Sequence, residues 1–502
     1  MGAESLLPQA GPADAGSQAE APAAGKLLPG SVVDGWLLHE KLHTGGMAHL
    51  WRVTREASAP PLKDWPADLA PDAPLIMKVP RMKGGEDPTA IVGFEVEQMI
   101  LPRMTGPHVP RYVARGDITQ QPYIVMERIE GQSLKARFDE SPLALDEVVE
   151  IGARVATALH ELHRQKLVHL DVKPSNIMTR PDGTAVLVDF GLSHHDRLPD
   201  LLDEEFTLPI GTGPYMSPEQ VQFVRTDLRS DLFALGVMLY HLATGARPFG
   251  APESVRGLRR RLYVDPIPPR ALRRDCPPWM QEIILKCLEV KPERRWQSAA
   301  QLALALQDPT QVPLTARAER MSSNGTLQRL KGWFHAAGAE PSAVPVTAVA
   351  TQVMQSSIIA AAVDMDNAGP ALLERMQETV SRIVLTEPGA RLACISVMKT
   401  ARIGMDEKMD ASGQSVHVKQ LIGLKHWARP ISKRLDLGEG RLTFHVLEAP
   451  DAAAAIVEFA ERNQVDHIVM GARGNSAMRR YLGSVSSQVV AQAQCTVTVV
   501  RV

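Results

Sequence analysis

Between Leu167 and Gly191 the chain reads LVHLDVKPSNIMTRPDGTAVLVDFG, a stretch dense in residues that handle protons, cations and phosphate. Asp171 can accept the proton of an attacking hydroxyl, and Lys173 adds a positive charge two residues on. Asn176 and Asp189 are oxygen donors of the kind that share a magnesium ion. Phosphoryl transfer is chemistry of this sort, needing alignment and charge neutralisation more than covalent help from the protein.

Such residues work only if the chain brings them together. Pro181-Asp182-Gly183 is a turn signal between the apolar runs Asn176-Ile177-Met178 and Ala185 to Val188, which predicts a hairpin. Closing it carries Asn176 and Asp189 to one end of the site. Upstream, Val148, Ile151, Val155, Leu159 and Leu162 mark the buried face of a helix that delivers this loop, with Asp146 as its N-cap. His160 and His163 on that helix read as surface histidines rather than metal ligands.

In order, His169-x-Asp171, Lys173, Asn176 and Asp189-Phe190-Gly191 resemble the catalytic core of the eukaryotic-like Ser/Thr protein kinases of bacteria. The resemblance extends over about 34–307. It implies a bilobal α+β fold, ATP with magnesium or manganese on Asn176 and Asp189, and Asp171 as base. It also implies Lys173 beside the γ-phosphate and protein Ser/Thr hydroxyls as acceptors, autophosphorylation included. Lys41 to Leu50 looks like the family's phosphate-covering loop around Gly45-Gly46-Met47, with His43 and Ala48 replacing its first and third glycines. Arg55 to Ala73 reads as an insertion lengthening the next hairpin connection. Lys78, on the strand Leu75 to Val79, corresponds to the lysine that holds the α- and β-phosphates and pairs with a helix glutamate. Glu97 fits that partner in register with Phe94, Leu101 and Met104; Glu95 is the alternative, otherwise a solvated carboxylate. The strand Tyr123 to Met126 leads to a hinge, Glu127-Arg128-Ile129, whose backbone would meet the adenine, with Met126 as gatekeeper.

Further resemblance implies that Thr212 bonds to Asp171 and Lys173, and that Glu219 pairs with Arg295. Asp231 would cap the central large-lobe helix and hold the catalytic-loop backbone. Where many members carry an arginine before the catalytic aspartate, this chain has Leu170, which cannot grip a phosphate. A phosphate on Thr207 would also be repelled by Asp203, Glu204 and Glu205. Those acids could instead approach basic groups without modification, and control is expected from outside the segment. The competing reading is a catalytically weak, kinase-shaped nucleotide-binding scaffold that acts through oligomerisation or signalling by the C-terminal domain.

At 502 residues the chain has room for about three domains. A net charge of −2 points to neither nucleic acid nor an anionic membrane surface as partner. The four cysteines are scattered and fit a reducing compartment, and no run of about eighteen apolar residues or secretory leader is seen. A cytoplasmic location is expected. Residues 1–30 read as a disordered tail. Residues 308–354 read as a linker that contains one amphipathic stretch at Leu327, Leu330, Trp333 and Phe334. From 356 to 502, strands alternate with helices, the pattern of a parallel α/β sheet. Its strand ending at Asp364, the Gly471-Ala472-Arg473-Gly474 turn and Gly483-Ser484 resemble the universal stress protein family. The spacer Asn475 to Leu482 is one residue shorter than the family's. This implies a second nucleotide on Asp364, Gly471, Gly474, Gly483 and Ser484, and a homodimer through the last strand, Thr496 to Val502.

Overall fold

A computed structural model of the chain describes residues 27–62, 64–81, 88–322, 357–387, 389–400, 415–438, 440–472 and 484–501. Most of the N-terminal tail, the amphipathic stretch at 327–334, and the glycines Gly474 and Gly483 lie outside the described residues. No helix among the described residues is long and apolar enough to cross a membrane.

The small lobe is an antiparallel sheet whose order is β1-β2-β3-β4-β6-β5. Its strands are β1 (Val32–Val33), β2 (Trp36–Thr44), β3 (Ala48–Arg55), β4 (Leu75–Pro80), β5 (Tyr112–Arg115) and β6 (Ile124–Glu127). Helix α1 (Pro88–Ile100) follows β4. Side chains alternate across a strand. Leu75, Met77 and Val79 therefore join Trp36, Leu38, Trp51 and Val125 in the core of one face, which turns Lys78 to the other.

Helix α2 (Leu145–Arg164) buries Val148, Val155, Leu159 and Leu162. It is capped at Ala144, so Asp146 lies in the first turn, where its charge still suits the helix dipole. The expected hairpin pairs β7 (Ile177–Thr179) with β8 (Ala185–Leu187), Ile177 opposite Leu187, and Gly183 takes a left-handed φ of 86° in the turn. Beyond it come the short helix α3 (Leu201–Glu205) and the mostly buried α4 (Arg229–Thr244). The cap of α4 is Leu228 rather than Asp231, which sits inside the first turn. Past α4 the chain stays on the large lobe as far as Arg320, where Thr315 and Arg317 bond to the buried Glu282.

The C-terminal unit is a parallel sheet in the order β11-β10-β9-β12-β13, formed by β9 (Ile358–Ala362), β10 (Arg391–Lys399), β11 (Leu442–Ala449), β12 (His467–Gly471) and β13 (Thr496–Val500). Connecting helices are α5 (Pro370–Thr386), α6 (Val416–Leu435), α7 (Ala452–Arg462) and α8 (Ser484–Gln492). Val418, Leu421, Leu424 and Trp427 all face the core from α6, as their spacing predicts.

Candidate active site

The catalytic loop is held by one buried carboxylate. Asp231 Oδ2 accepts the His169 N–H at 2.9 Å and Oδ1 the Leu170 N–H at 2.8 Å. Gln220 donates to the Leu170 carbonyl at 2.8 Å. These bonds matter because Leu170 has φ 61°, a left-handed conformation that costs a leucine on the order of 1–3 kcal/mol and persists only when its surroundings fix it. His163, expected on the surface, instead bonds Asp231 Oδ2 at 2.9 Å with only 6% of its side chain exposed. One face of α2 therefore supports the loop through a polar contact that apolar periodicity does not reveal.

Asp171 is buried and has three partners. Thr212 donates its hydroxyl to Oδ1 at 2.6 Å, Lys173 Nζ lies 2.7 Å from Oδ2, and Asn176 donates to Oδ2 at 3.0 Å. Lys173 also reaches the Thr212 hydroxyl at 3.0 Å. The hairpin register and the Val188 N–H bond to the Asn176 carbonyl, 2.9 Å, bring Asn176 beside Asp189 as expected.

Across the cleft, Lys78 bonds to Glu97 and lies 2.8 Å from Asp189 Oδ1. Burial alone would lower the Lys78 ammonium, but the charges of Asp189 and Glu97 more than offset it and hold it above its ordinary value. The same Lys78 charge draws the Asp189 carboxyl down to about 2, against the opposing effect of partial desolvation. Glu95, the alternative partner, is not a solvated carboxylate. It is buried, and its partner is Lys425 of the C-terminal unit at 2.6 Å. Gly93 on the same helix packs so closely on the Phe190-Gly191 turn that an added Cβ would stand 2.9 Å from the Gly191 carbonyl oxygen. Thus α1 touches both the lysine and the Asp189 turn.

The donor set fits a divalent cation. Asn176 spends its amide nitrogen on the Asp171 carbonyl and carboxylate, and its oxygen, which accepts from the Ser175 hydroxyl at 3.3 Å, keeps a second lone pair for a cation. The Asp189 side chain is 43% exposed to the cleft. One carboxylate oxygen and one amide oxygen are the donors that a hard divalent cation takes.

The remaining expected contacts occupy the rim. Gly45 and Gly46 form the turn between β2 and β3, closed by the Gly45 N–H bond to the Ala48 carbonyl at 2.9 Å. Nothing lies within 4 Å of a Cβ placed on Gly46. Met126 is buried at the end of β6. Two backbone bonds of 2.8 Å, Glu127 N–H to Arg111 and Arg128 N–H to Pro74, pin the hinge before Ile129, and Arg180 holds the Glu127 side chain at 2.6 Å. Below the activation segment, Arg295 grips Glu219 with bonds of 2.5 and 2.7 Å.

With this geometry in view, residues 78–306 match the family model described as protein kinase domain, and 356–501 that of the universal stress protein family. The chain joins a protein kinase domain to a universal stress protein domain. A probable serine/threonine-protein kinase of Clostridium acetobutylicum is 30% identical over 229 residues, 45% of this chain and 35% of the relative. The serine/threonine-protein kinase PknB of Mycolicibacterium smegmatis is 30% identical over 309 residues, 59% of this chain and 47% of the relative. PknB of Mycobacterium tuberculosis is 30% identical over 281 residues, or 55% and 42% of the two chains. The chain thus spans about a third to a half of the length of these curated relatives.

In the universal stress protein domain, the pairing of β9 with β12 sets Ala362 opposite Met470, so Asp364 and Gly471 lie at the same carboxyl edge. Asp364 accepts from Asn367 at 3.0 Å, and Ser484 begins α8 on the surface. Gly471 has a packing reason to be glycine. An added Cβ would stand 2.9 Å from Leu372 Cδ2.

Proposed function

We propose that the protein transfers the γ-phosphate of ATP to serine and threonine hydroxyls of proteins, its own included. The observation that carries this reading is the convergence of Thr212 and Lys173 on Asp171, opposite a Lys78 bonded to both Glu97 and Asp189. Asp171 takes the proton of the incoming hydroxyl, while Lys173 and Thr212 hold its carboxylate in place. Lys78 steadies the α- and β-phosphates, and the Glu127–Ile129 hinge receives the adenine behind the Gly45-Gly46 turn. A magnesium ion, for which manganese could substitute, would be held by Asn176 and Asp189 and would supply neutralisation of phosphate charge.

The test is labelled-ATP phosphorylation by the intact chain with either metal. Asp171→Ala should lose transfer yet keep nucleotide binding, and Asp189→Ala should weaken binding of the metal–nucleotide complex as well. An Asp171→Ala protein that phosphorylates itself at the parental rate would remove the assignment. The same reading gives the C-terminal domain a regulatory role, with a second nucleotide at the Asp364–Gly471 edge and pairing of two chains through β13. Support for pairing comes from β13 being an outer strand with β12 alone beside it among the described residues. A nucleotide stoichiometry of one per chain, or a monomer at all concentrations by sedimentation, would remove the corresponding part.

A further inference from the structure

Helix α3 is an acidic helix of the activation segment. Asp203, Glu204 and Glu205 follow Asp200, and α3 itself, residues 201–205, holds no basic residue. Glu95 of α1 faces the same region, and its charge pushes the Glu205 carboxyl up, after burial, which has the larger effect. Left to themselves, these carboxylates would repel one another and drive α3 from α1. The catalytic loop offers α3 no cation at Leu170, which is buried and apolar.

Among the described ion pairs, every one that Asp203, Glu204 and Glu205 make runs to the C-terminal domain. Arg391, at the start of β10, meets Glu204 at 2.6 Å with both side chains 11% exposed. Arg462, ending α7, reaches Asp203 at 3.5 Å and the Phe206 carbonyl at 2.9 Å. His417 of α6 lies 3.4 Å from Glu205. His445 of β11 lies 3.3 Å from Glu204, but burial lowers its imidazole to about 3, so it is a neutral neighbour and not a counter-charge. Lys425, also on α6, pairs with Glu95 at 2.6 Å while resting over the Phe444 ring at 4.6 Å. One domain therefore holds two kinase elements at once, and both belong to the site. Glu95 is two residues before Glu97, and Gly93 abuts the Gly191 turn.

We propose that Arg391, Arg462 and Lys425 of the universal stress protein domain are positioning residues for phosphoryl transfer, an anchor in cis that fixes α3 and α1 by ion pairs without phosphorylation of the segment. The inference rests on the kinase reading above and specifies how the C-terminal domain controls it. Buried acids whose partners are removed are costly to keep in place. Loss of the anchor lets α3 and α1 separate, and Glu97 leaves Lys78 with them. The domain is then an activator, and any event that undocks it switches the kinase off.

The experiment uses the full-length, phosphatase-treated protein and initial rates on a generic protein substrate with labelled ATP. Arg391→Glu and Lys425→Glu should each lower kcat tenfold or more. The charge-exchanged double variants, Arg391→Glu with Glu204→Arg and Lys425→Glu with Glu95→Lys, should return kcat to within threefold of the parent. A merely structural role would not produce that rescue. Hydrogen exchange on the same proteins should show faster exchange across 88–100 in the single variants and parental exchange in the doubles. The proposal is overturned by single variants within twofold of the parent, by single variants more active than the parent, or by charge exchange that rescues neither rate nor protection. A parent that shows no transfer under any of these conditions removes the kinase reading itself, which separates the two failures.

Discussion

Arg295→Ala would leave Glu219 as a buried carboxylate without its counter-charge. The Arg295 side chain is 0% exposed and that of Glu219 6%. The guanidinium makes two bonds to the carboxylate and donates to the carbonyls of Arg229, Glu289 and Val290 at 2.8 to 3.1 Å. After its removal Glu219 keeps the Ser230 hydroxyl at 2.8 Å, a neutral donor that does not replace a charge. Breaking one side of such a pair costs about 3–5 kcal/mol. For a domain of this size each kcal/mol lowers the melting temperature by about 2–4 °C, so the drop should be roughly 6–20 °C. Calorimetry of the full chain is the assay, because unfolding of a two-domain protein need not be a single transition. The loss should fall on the kinase transition and reduce activity with it, since Glu219 lies just after the segment that carries Thr212. Replacing both partners, Glu219→Leu with Arg295→Met, should recover much of the stability, because no charge is left stranded. An Arg295→Ala shift below 2 °C, or a double variant as unstable as the single, would refute the reasoning.

Thr212→Val removes the hydroxyl that donates to Asp171 and accepts from Lys173. A hydrogen bond to a charged group contributes about 1.5–3 kcal/mol, so kcat should fall roughly 10- to 150-fold with the ATP KM unchanged, and Thr212→Ser should keep most of the rate. Equal rates for Val and Thr would show that the bond positions nothing. His194 anchors the start of the activation segment against Asp200, at 3.0 Å, beside Asp196 and Arg225. Burial lowers its imidazole, but the bonds to Asp196 and Asp200 and the charge of Asp200 more than reverse this, up to about 9. Since the folded value lies above the unfolded one, the contribution is complete below about pH 6.5 and is lost as pH rises through about 9. It is on the order of 3 kcal/mol. The melting-temperature gap between parent and His194→Gln should therefore shrink between pH 6 and 9.5, and a constant gap would contradict the assignment.

Local pattern was enough where chemistry and periodicity agree. The hairpin over 177–187 follows from one turn between two apolar runs, and the buried faces of α2 and α6 follow from helical spacing. The misread positions were polar residues whose partners are remote in sequence. Glu95 reads as solvated because an isolated acid on a helix usually is, yet a lysine 330 positions later covers it. His163 reads as surface because apolar spacing does not register a histidine that faces a buried aspartate. Asp146 and Asp231 lie one or two residues inside their helices because the backbone turns before the carboxylate is reached.

The sequence by itself determined that Asn176 and Asp189 come to one end of a hairpin, since residue type and short-range spacing suffice for that. It also determined a parallel α/β unit after residue 356. Only the tertiary structure decided which side chains meet the acids of α3. Arg391, His417, His445 and Arg462 are dispersed over β10, α6, β11 and α7, and they meet Glu204, Glu205 and Asp203 only because the parallel sheet presents its β11 side to the activation segment. Such a meeting carries no signature in local spacing, because the partners stand as far as 187 and 259 residues apart in the chain.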